Sequence, residues 1–228
     1  CQIVGLDTSK PNNVIGWKHP LQGHGSPYPL WDKDAKHIYY LNGGSLWRAG
    51  LDEGGLVEIA RIPKREIRQM ITQSDELLWS NDEGKSTVVV THDDAGNQDG
   101  FYRINLSSGT SFKLREDGEC YTCVNTPRPV LATQDGRNLL YFSEDAQHDS
   151  NLWIVSPGFE NPRQLTHLNP QFENHEFGKP RLIDWLSDDG ERLRGTLLLP
   201  PGYAEGERYP LIVVVYGGGN LSNGFDRF

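Results

Sequence analysis

The sequence has few sulfur-containing residues. It contains three cysteines and one methionine among 228 residues. Cys120 and Cys123 form a single C-x-x-C pair, without the second pair of cysteines or histidines that a structural zinc site requires. We expect both thiols to be buried, with a disulfide or a metal site as the alternative. We predict no cofactor and no metal for the chain.

Long apolar segments are also absent from the sequence. The run at residues 211–216 is far too short to cross a bilayer, which takes about 20 apolar residues in a helix. No secretory or transit peptide is visible. We therefore expect no membrane partner and a cytoplasmic location, with a secreted or periplasmic location as the alternative.

Positive charge is scarce. The chain has 22 Lys and Arg residues against 31 Asp and Glu residues, which gives a formal net charge of -9. Proteins that bind nucleic acid draw their affinity from clustered Lys and Arg, so we predict no nucleic-acid partner. The one basic cluster, formed by Arg61, Lys64, Arg65 and Arg68, is interrupted by Glu66. We expect it to be a solvated surface.

The sequence does contain a repeat of turn and strand patterns. Asp34, Asp82 and Asp135 lie in turn-forming segments, 48 and 53 residues apart, and three short β-prone segments follow each turn. The segments are 38–41, 46–48 and 57–59, then 88–91, 102–104 and 112–114, then 139–142, 152–154 and 163–165. Units of about 50 residues with three or four strands are typical of β-propeller blades, which are stable only when stacked against neighbours.

Aromatic residues recur in the second strand of each unit, at Trp47, Tyr102 and Trp153. We predict that they pack between neighbouring blades, with a ligand site as the alternative. The loop at residues 143–150 is acidic, and its charged residues and histidine are Glu144, Asp145, His148 and Asp149. Their spacing matches no known metal loop, so we expect this loop to be hydrated, with a cation site as the alternative.

The pattern changes near residues 178–186, where we place a domain boundary. A fourth turn at 187–190 leads into an apolar strand that Pro200, Pro201 and Gly202 end. Residues 211–216 are uniformly apolar, which predicts a strand covered on both faces. Glycines follow this run, and they let backbone N–H groups approach a reacting atom.

Several of these segments together resemble the prolyl oligopeptidase family of serine peptidases. They are the Asp189-Gly190 turn, Leu-Leu-Leu-Pro-Pro-Gly-Tyr at 197–203 and Tyr-Pro-Leu-Ile-Val-Val-Val-Tyr-Gly-Gly-Gly at 209–219. The resemblance implies a β-propeller joined to an α/β-hydrolase domain. We accordingly predict a mainly β chain. A partial β-propeller at residues 1–180 is followed, at 181–228, by the opening strands of an α/β-hydrolase domain.

The resemblance also implies a site. A tyrosine at this strand end helps to form the oxyanion hole in some members of the family. Tyr216 is therefore the implied oxyanion donor, in a loop shaped by Gly217, Gly218 and Gly219. The alternative is that Tyr216 only ends a buried strand.

The function that the resemblance implies is hydrolysis of short peptides, with the propeller gating access. The sequence contains no Gly-x-Ser-x-Gly, and none of its seven histidines can be assigned as the general base. We therefore predict that this chain alone is inactive and that a further segment or a second chain supplies Ser, Asp and His. The acidic pairs at 75–76 and 82–83 match no aminopeptidase motif. The alternative function is a non-catalytic β-propeller that binds a partner.

Overall fold

The computed structural model describes residues 29–50, 55–74, 76–122 and 129–215. Within these ranges the chain is almost entirely extended, with one short 3-10 helix at Pro170–Asn174. The strands are β1 (Leu30–Trp31), β2 (His37–Asn42), β3 (Ser45–Gly50), β4 (Leu56–Ala60), β5 (Glu66–Met70), β6 (Thr72–Ser74), β7 (Leu77–Leu78), β8 (Ser86–Asp93), β9 (Gln98–Asn105), β10 (Ser111–Arg115), β11 (Leu131–Ala132), β12 (Leu139–Ser143), β13 (Asn151–Val155), β14 (Arg163–Gln164), β15 (Lys179–Leu186) and β16 (Arg192–Leu199). None of the described segments is a helix with the length and apolar character needed to cross a membrane.

Three antiparallel units of four strands each make up most of the described chain. The first blade is β1-β2-β3-β4, the second is β5-β8-β9-β10 and the third is β11-β12-β13-β14. The nine strands predicted for the three repeat units are all present, so the prediction of a mainly β fold with propeller blades is confirmed. The innermost strand of each blade was not predicted, because β1 and β11 have two residues each and β5 carries charged side chains.

The inner strands of the first and third blades are linked through β6 and β7. Thr72 in β6 pairs in parallel with Leu131, and Leu77 in β7 pairs in parallel with Trp31. The first and third blades therefore share one ten-stranded sheet, while the second blade is a separate four-stranded sheet.

The core lies between the blades. On β8, Val88 and Val90 belong to a cluster shared with the third blade, whereas Val89 faces a cluster shared with the first blade. Successive side chains of a strand point to opposite faces, so the middle blade is covered on both sides. This arrangement agrees with the expectation that a single blade cannot bury its own faces.

Two of the three recurring aromatic residues pack as predicted. Trp153 lies against the cluster between the second and third blades, and Tyr102 lies against the cluster between the first and second. Trp47 lies outside both clusters, because it points away from Leu46 to the face of the first blade that has no described neighbour, so its predicted packing stays a prediction; the ring stacks on Tyr40 of its own blade with ring centroids 6.5 Å apart. Its indole N–H reaches the carbonyl oxygen of Asn42 at 3.2 Å, so the ring lies along its own hairpin.

Three of the four predicted turns share one hydrogen-bonding arrangement. A hydroxyl donates to the aspartate two residues later and accepts an N–H four or five residues later. The pairs are Ser80 with Asp82, Thr133 with Asp135 and Ser187 with Asp189. Because the hydroxyl donates to the ionised form, it holds the pKa of Asp135 and of Asp189 below the ordinary value.

The C-terminal region differs from the blades. Strands β15 and β16 form a two-stranded sheet of their own, the C-terminal hairpin, with eight residue pairs in register from Lys179 with Leu199 to Leu186 with Arg192. The predicted covered strand at 211–216 is wrong for residues 211–215, which form no strand, and Leu211 is 74% exposed. A covered strand needs neighbours on both edges and both faces, and no described strand lies beside this segment.

Candidate functional site

The residues predicted to form the oxyanion hole are Tyr216, Gly217, Gly218 and Gly219. All four lie outside the described residues, so their roles stay predictions. The segment that leads to them is defined by a local contact: the amide of Ala204 donates to the Tyr209 hydroxyl at 3.0 Å, and the Tyr203 and Tyr209 rings lie 5.3 Å apart. From Leu211 onward the side chains of the described residues are exposed.

The cysteine pair is only half described. Cys120 is buried, and its Sγ donates to the carbonyl oxygen of Thr122 at 3.0 Å. Burial of this thiol agrees with the expectation from the sequence. Cys123 lies outside the described residues, so pairing of the two thiols stays open.

A buried histidine and aspartate form a dyad that the sequence analysis did not identify. His92 on β8 and Asp99 on β9 are directly opposite in the antiparallel register, and Nδ1 of His92 lies 2.7 Å from Oδ1 of Asp99. Both side chains are almost fully buried. The two strands could have indicated this pair. Once the turn between β8 and β9 is placed, the residues that lie opposite each other on the hairpin can be read from the sequence.

Asp99 is held as a carboxylate. Burial alone would raise its pKa, but hydrogen bonds from His92 and Thr122 outweigh burial and hold the pKa below the ordinary value. Oδ2 accepts the amide of Tyr121 at 2.9 Å, the amide of Thr122 at 2.7 Å and the Thr122 hydroxyl at 2.8 Å. The Asp99 carboxylate therefore connects the segment that follows the second blade, at Tyr121 and Thr122, to β9 of that blade.

The dyad does not have the surroundings of a catalytic base. Its Nε2 atom is buried without a hydrogen-bond partner, and Oδ1 of Asp94 lies 3.6 Å away. A base that activates a nucleophile needs a hydroxyl or thiol within hydrogen-bond reach, and a second carboxylate cannot play that part. The surroundings of His92 are therefore those of a structural residue.

The basic cluster is only partly solvated. The Arg65 side chain is buried: it pairs with Glu116 and donates from Nε to the Thr91 hydroxyl at 2.8 Å. Arg68 is equally buried and reaches Asp94 Oδ1 at 3.3 Å. The prediction of a solvated surface is wrong for these two residues, because their partners lie far along the chain: Thr91 and Glu116 are 26 and 51 residues from Arg65, and Asp94 is 26 residues from Arg68. Arg61 and Lys64 are exposed as expected.

A cavity of about 330 Å³ lies where the β12–β13 loop meets the segment after β14. Five carboxylates but no Lys or Arg line it: Glu119, Glu144, Asp145, Asp149 and Glu173. Trp153 and Phe172 supply apolar surface. The described residues contain no group of three or more His, Cys, Asp or Glu side chains that could hold a metal ion.

The chain is similar to the uncharacterized peptidase YuxL of Bacillus subtilis (strain 168), with 29% identity over 143 residues, 57% of this chain and 20% of the relative. The chain thus spans about a fifth of the length of the curated relative it matches. No family model matches it.

Three of the solved structures with a similar fold are named as peptidases. A putative dipeptidyl aminopeptidase IV from Bacteroides ovatus ATCC 8483 has a TM-score of 0.58 and 14% identity, covering 83% of this chain and 28% of that one. The AtxE2 isopeptidase has a TM-score of 0.55 and 16% identity, covering 81% and 27%. An acylaminoacyl peptidase in complex with Z-Gly-Gly-Phe-chloromethyl ketone has a TM-score of 0.52 and 17% identity, covering 79% and 26%. The predicted resemblance to the prolyl oligopeptidase family is confirmed. At these identities the structural likeness establishes the fold of the chain.

Proposed function

We propose that this chain is part of a serine peptidase of the prolyl oligopeptidase type, which hydrolyses short peptides by acyl transfer. The observation that carries the proposal is the order of its parts. Three four-stranded blades precede a separate hairpin, and an exposed apolar segment then leads to Tyr216 and the three glycines. Similarity to a peptidase over 57% of the chain supports the same function.

The proposed division of labour follows the predicted domains. Residues 1–180 belong to the propeller, which restricts access by size, and residues 181–228 belong to the hydrolase domain. Strands β15 and β16, which among the described strands pair only with each other, support a boundary near residue 180. Tyr216 and the N–H groups of Gly217 to Gly219 would bind the oxyanion that develops when a serine attacks the peptide carbonyl.

The exposed apolar surface supports a further part to the hydrolase domain. Ile212, Val214 and Val215 are each at least 75% exposed, and Trp185 on the hairpin is 46% exposed. A run of exposed apolar residues such as 211–215 marks a place where another segment packs. We propose that the partner segment or chain that covers it also supplies the nucleophile, the general base and its aspartate.

The test uses a fluorophosphonate probe, which labels activated serines. We expect labelling of the longer product of the reading frame that contains this sequence, and none of the 228-residue chain. In the longer protein, Tyr216→Phe should lower kcat on chromogenic peptide substrates by about 100-fold. Tyr203→Phe is the matched control and should leave kcat unchanged. Labelling of a serine within the 228 residues would contradict the proposed roles.

The second candidate function is a propeller that binds a partner without catalysis. The acidic cavity beside Trp153 favours it, because a concave site with aromatic and polar walls is typical of binding sites. A reading frame that stops after Phe228 would support this alternative. A Gly-x-Ser-x-Gly encoded shortly downstream would support the peptidase.

A further inference from the structure

The β8–β9 loop, residues 94–97, joins the second blade to the C-terminal hairpin. Arg194 on β16 donates from Nη1 to the carbonyl oxygens of Asp94 at 2.9 Å and Ala95 at 3.1 Å. Its Nε donates to Asp184 Oδ1 at 3.0 Å, which orients the guanidinium from within the hairpin. The position of two loop carbonyl groups therefore decides whether blade and hairpin are connected here.

His92 lies at the base of this loop with one ring nitrogen already committed. Because Asp99 stays a carboxylate, its Oδ1 accepts a hydrogen from Nδ1 of His92. That bond fixes the tautomer, so the ring can gain or lose a proton only at Nε2. Asp99 in turn is fixed by Tyr121 and Thr122, and the ring has little freedom to rotate.

The Nε2 atom faces the loop. It is buried, has no hydrogen-bond partner and lies 3.6 Å from Asp94 Oδ1. In the neutral ring a lone pair faces the carboxylate, which is unfavourable. In the protonated ring an N–H faces it, and a charge-assisted hydrogen bond becomes available after a small movement of the exposed Asp94 side chain.

Charged groups of both signs surround His92. Four carboxylates and two guanidinium groups lie on the elements packed around His92. They are Glu66 and Arg68 on β5, Asp93 and Asp94 at the end of β8 and in its loop, Asp99 on β9, and Arg194 on β16. Arg68 already approaches the same oxygen of Asp94, at 3.3 Å, so protonated His92 would be its second donor.

We propose that protonation of His92 at Nε2 fastens the β8–β9 loop through Asp94 and thereby strengthens the contact with Arg194, which makes this junction between blade and hairpin sensitive to pH. The proton comes from solvent, and no other covalent bond changes. The inference does not depend on the proposed peptidase activity, since it concerns contacts within the described chain. Mild acid tightens the junction, and mild alkali loosens it.

The experiment is a pH titration of the 228-residue chain by NMR between pH 8 and pH 5.5. The ring nitrogens of His92, the Nε–H of Arg194 and the exchange rates of the 94–97 amides are followed together. We expect the Arg194 signal to shift with the same midpoint as His92. After correction for the intrinsic pH dependence of exchange, the loop amides should exchange about tenfold more slowly in acid.

Two variants separate His92 from other titrating groups. His92→Asn keeps a side-chain N–H for Asp99 but has no titratable group, so the slowing should disappear while the blade stays folded. Asp94→Asn keeps the shape of the loop but removes the charge, so His92 should still titrate without slowing the loop. Slowing that persists in either variant would overturn the proposal. Two further results would overturn it. One is a change in the protonation of His92 without any response from Arg194, because Arg68 alone would then hold Asp94. The other is a His92 that keeps one protonation state throughout the titration.

Discussion

The tripeptide Val-Val-Val occurs twice in this chain, once in the second blade and once after the C-terminal hairpin. Residues Val88, Val89 and Val90 are fully buried. Residues 213–215 have the same side chains, yet they are 70%, 75% and 85% exposed. Identical local sequence therefore gives opposite environments in the two regions.

The difference lies in the neighbours. Strand β8 pairs with β5 on one edge and β9 on the other, and the first and third blades cover its two faces. The described part of the chain offers no such neighbours to residues 211–215. Strand propensity is thus satisfied only where other strands complete the ladder and bury the faces, which is what context-dependent β-propensity means in practice.

Substitution of a buried polar group should give the largest difference in stability between the blades and the C-terminal hairpin. Asp99→Asn leaves the amides of Tyr121 and Thr122 and the His92 ring without their charged acceptor. We expect it to lower the free energy of unfolding by about 3 kcal/mol at pH 7, as measured by urea denaturation. Asp189→Asn, in the exposed hairpin turn, is the matched control and should change the stability of the blades very little.

The effect of Asp99→Asn on the free energy of unfolding should depend on pH. The pKa of folded Asp99 lies below its ordinary value, so its stabilising contribution is fully present above about pH 4 and is lost as pH falls through the folded pKa. The stability gap between wild type and Asp99→Asn should therefore narrow in acid. A gap that stays constant down to pH 2 would show that the carboxylate charge does not stabilise the fold.

The two valine runs allow a closer test of the comparison. Val89→Ala removes two methyl groups from a closed core, and we expect a loss of about 2 kcal/mol in the free energy of unfolding. Val214→Ala removes the same atoms from solvent and should change stability by less than about 0.5 kcal/mol. Equal losses at both positions would mean that residues 211–215 are packed against something in solution.

The sequence was sufficient for features that repeat or that depend on nearby residues. The nine strands followed from apolar periodicity and from turns such as Thr133 to Asp135, whose hydroxyl and carboxylate act within a few residues. Partners that lie far apart in the sequence could not be predicted from it. Arg65 was expected in solvent because Glu116, its partner in the fold, is 51 residues away.

The candidate site shows the same division. Pairing of His92 with Asp99 depends on the β8–β9 register, and strand propensity alone does not fix a register. The acidic loop at 143–150 was identified, but the cavity also needs the segment after β14 and Glu119 from another part of the chain. Tyr216 rests on a motif and a resemblance, and it remains a prediction.

The smallest expected effect concerns the hairpin itself. A Cβ atom added at Gly195 would lie 3.0 Å and 3.1 Å from Cζ3 and Cη2 of the Trp185 ring. Because this ring is 46% exposed and can move outward, Gly195→Ala should cost only about 1 kcal/mol, as local strain in β15 and β16. Amide hydrogen exchange measures it, with Gly118→Ala as the control, since a Cβ there meets nothing.

The informative result is which amides exchange faster in Gly195→Ala. If it is confined to residues 179–199, the hairpin opens on its own, which fits a sheet that pairs only with itself. If it spreads to the β8–β9 loop, Arg194 couples the hairpin to the second blade strongly enough for both to open together. In that case the two regions form one cooperative unit, and their different burial does not make them independent.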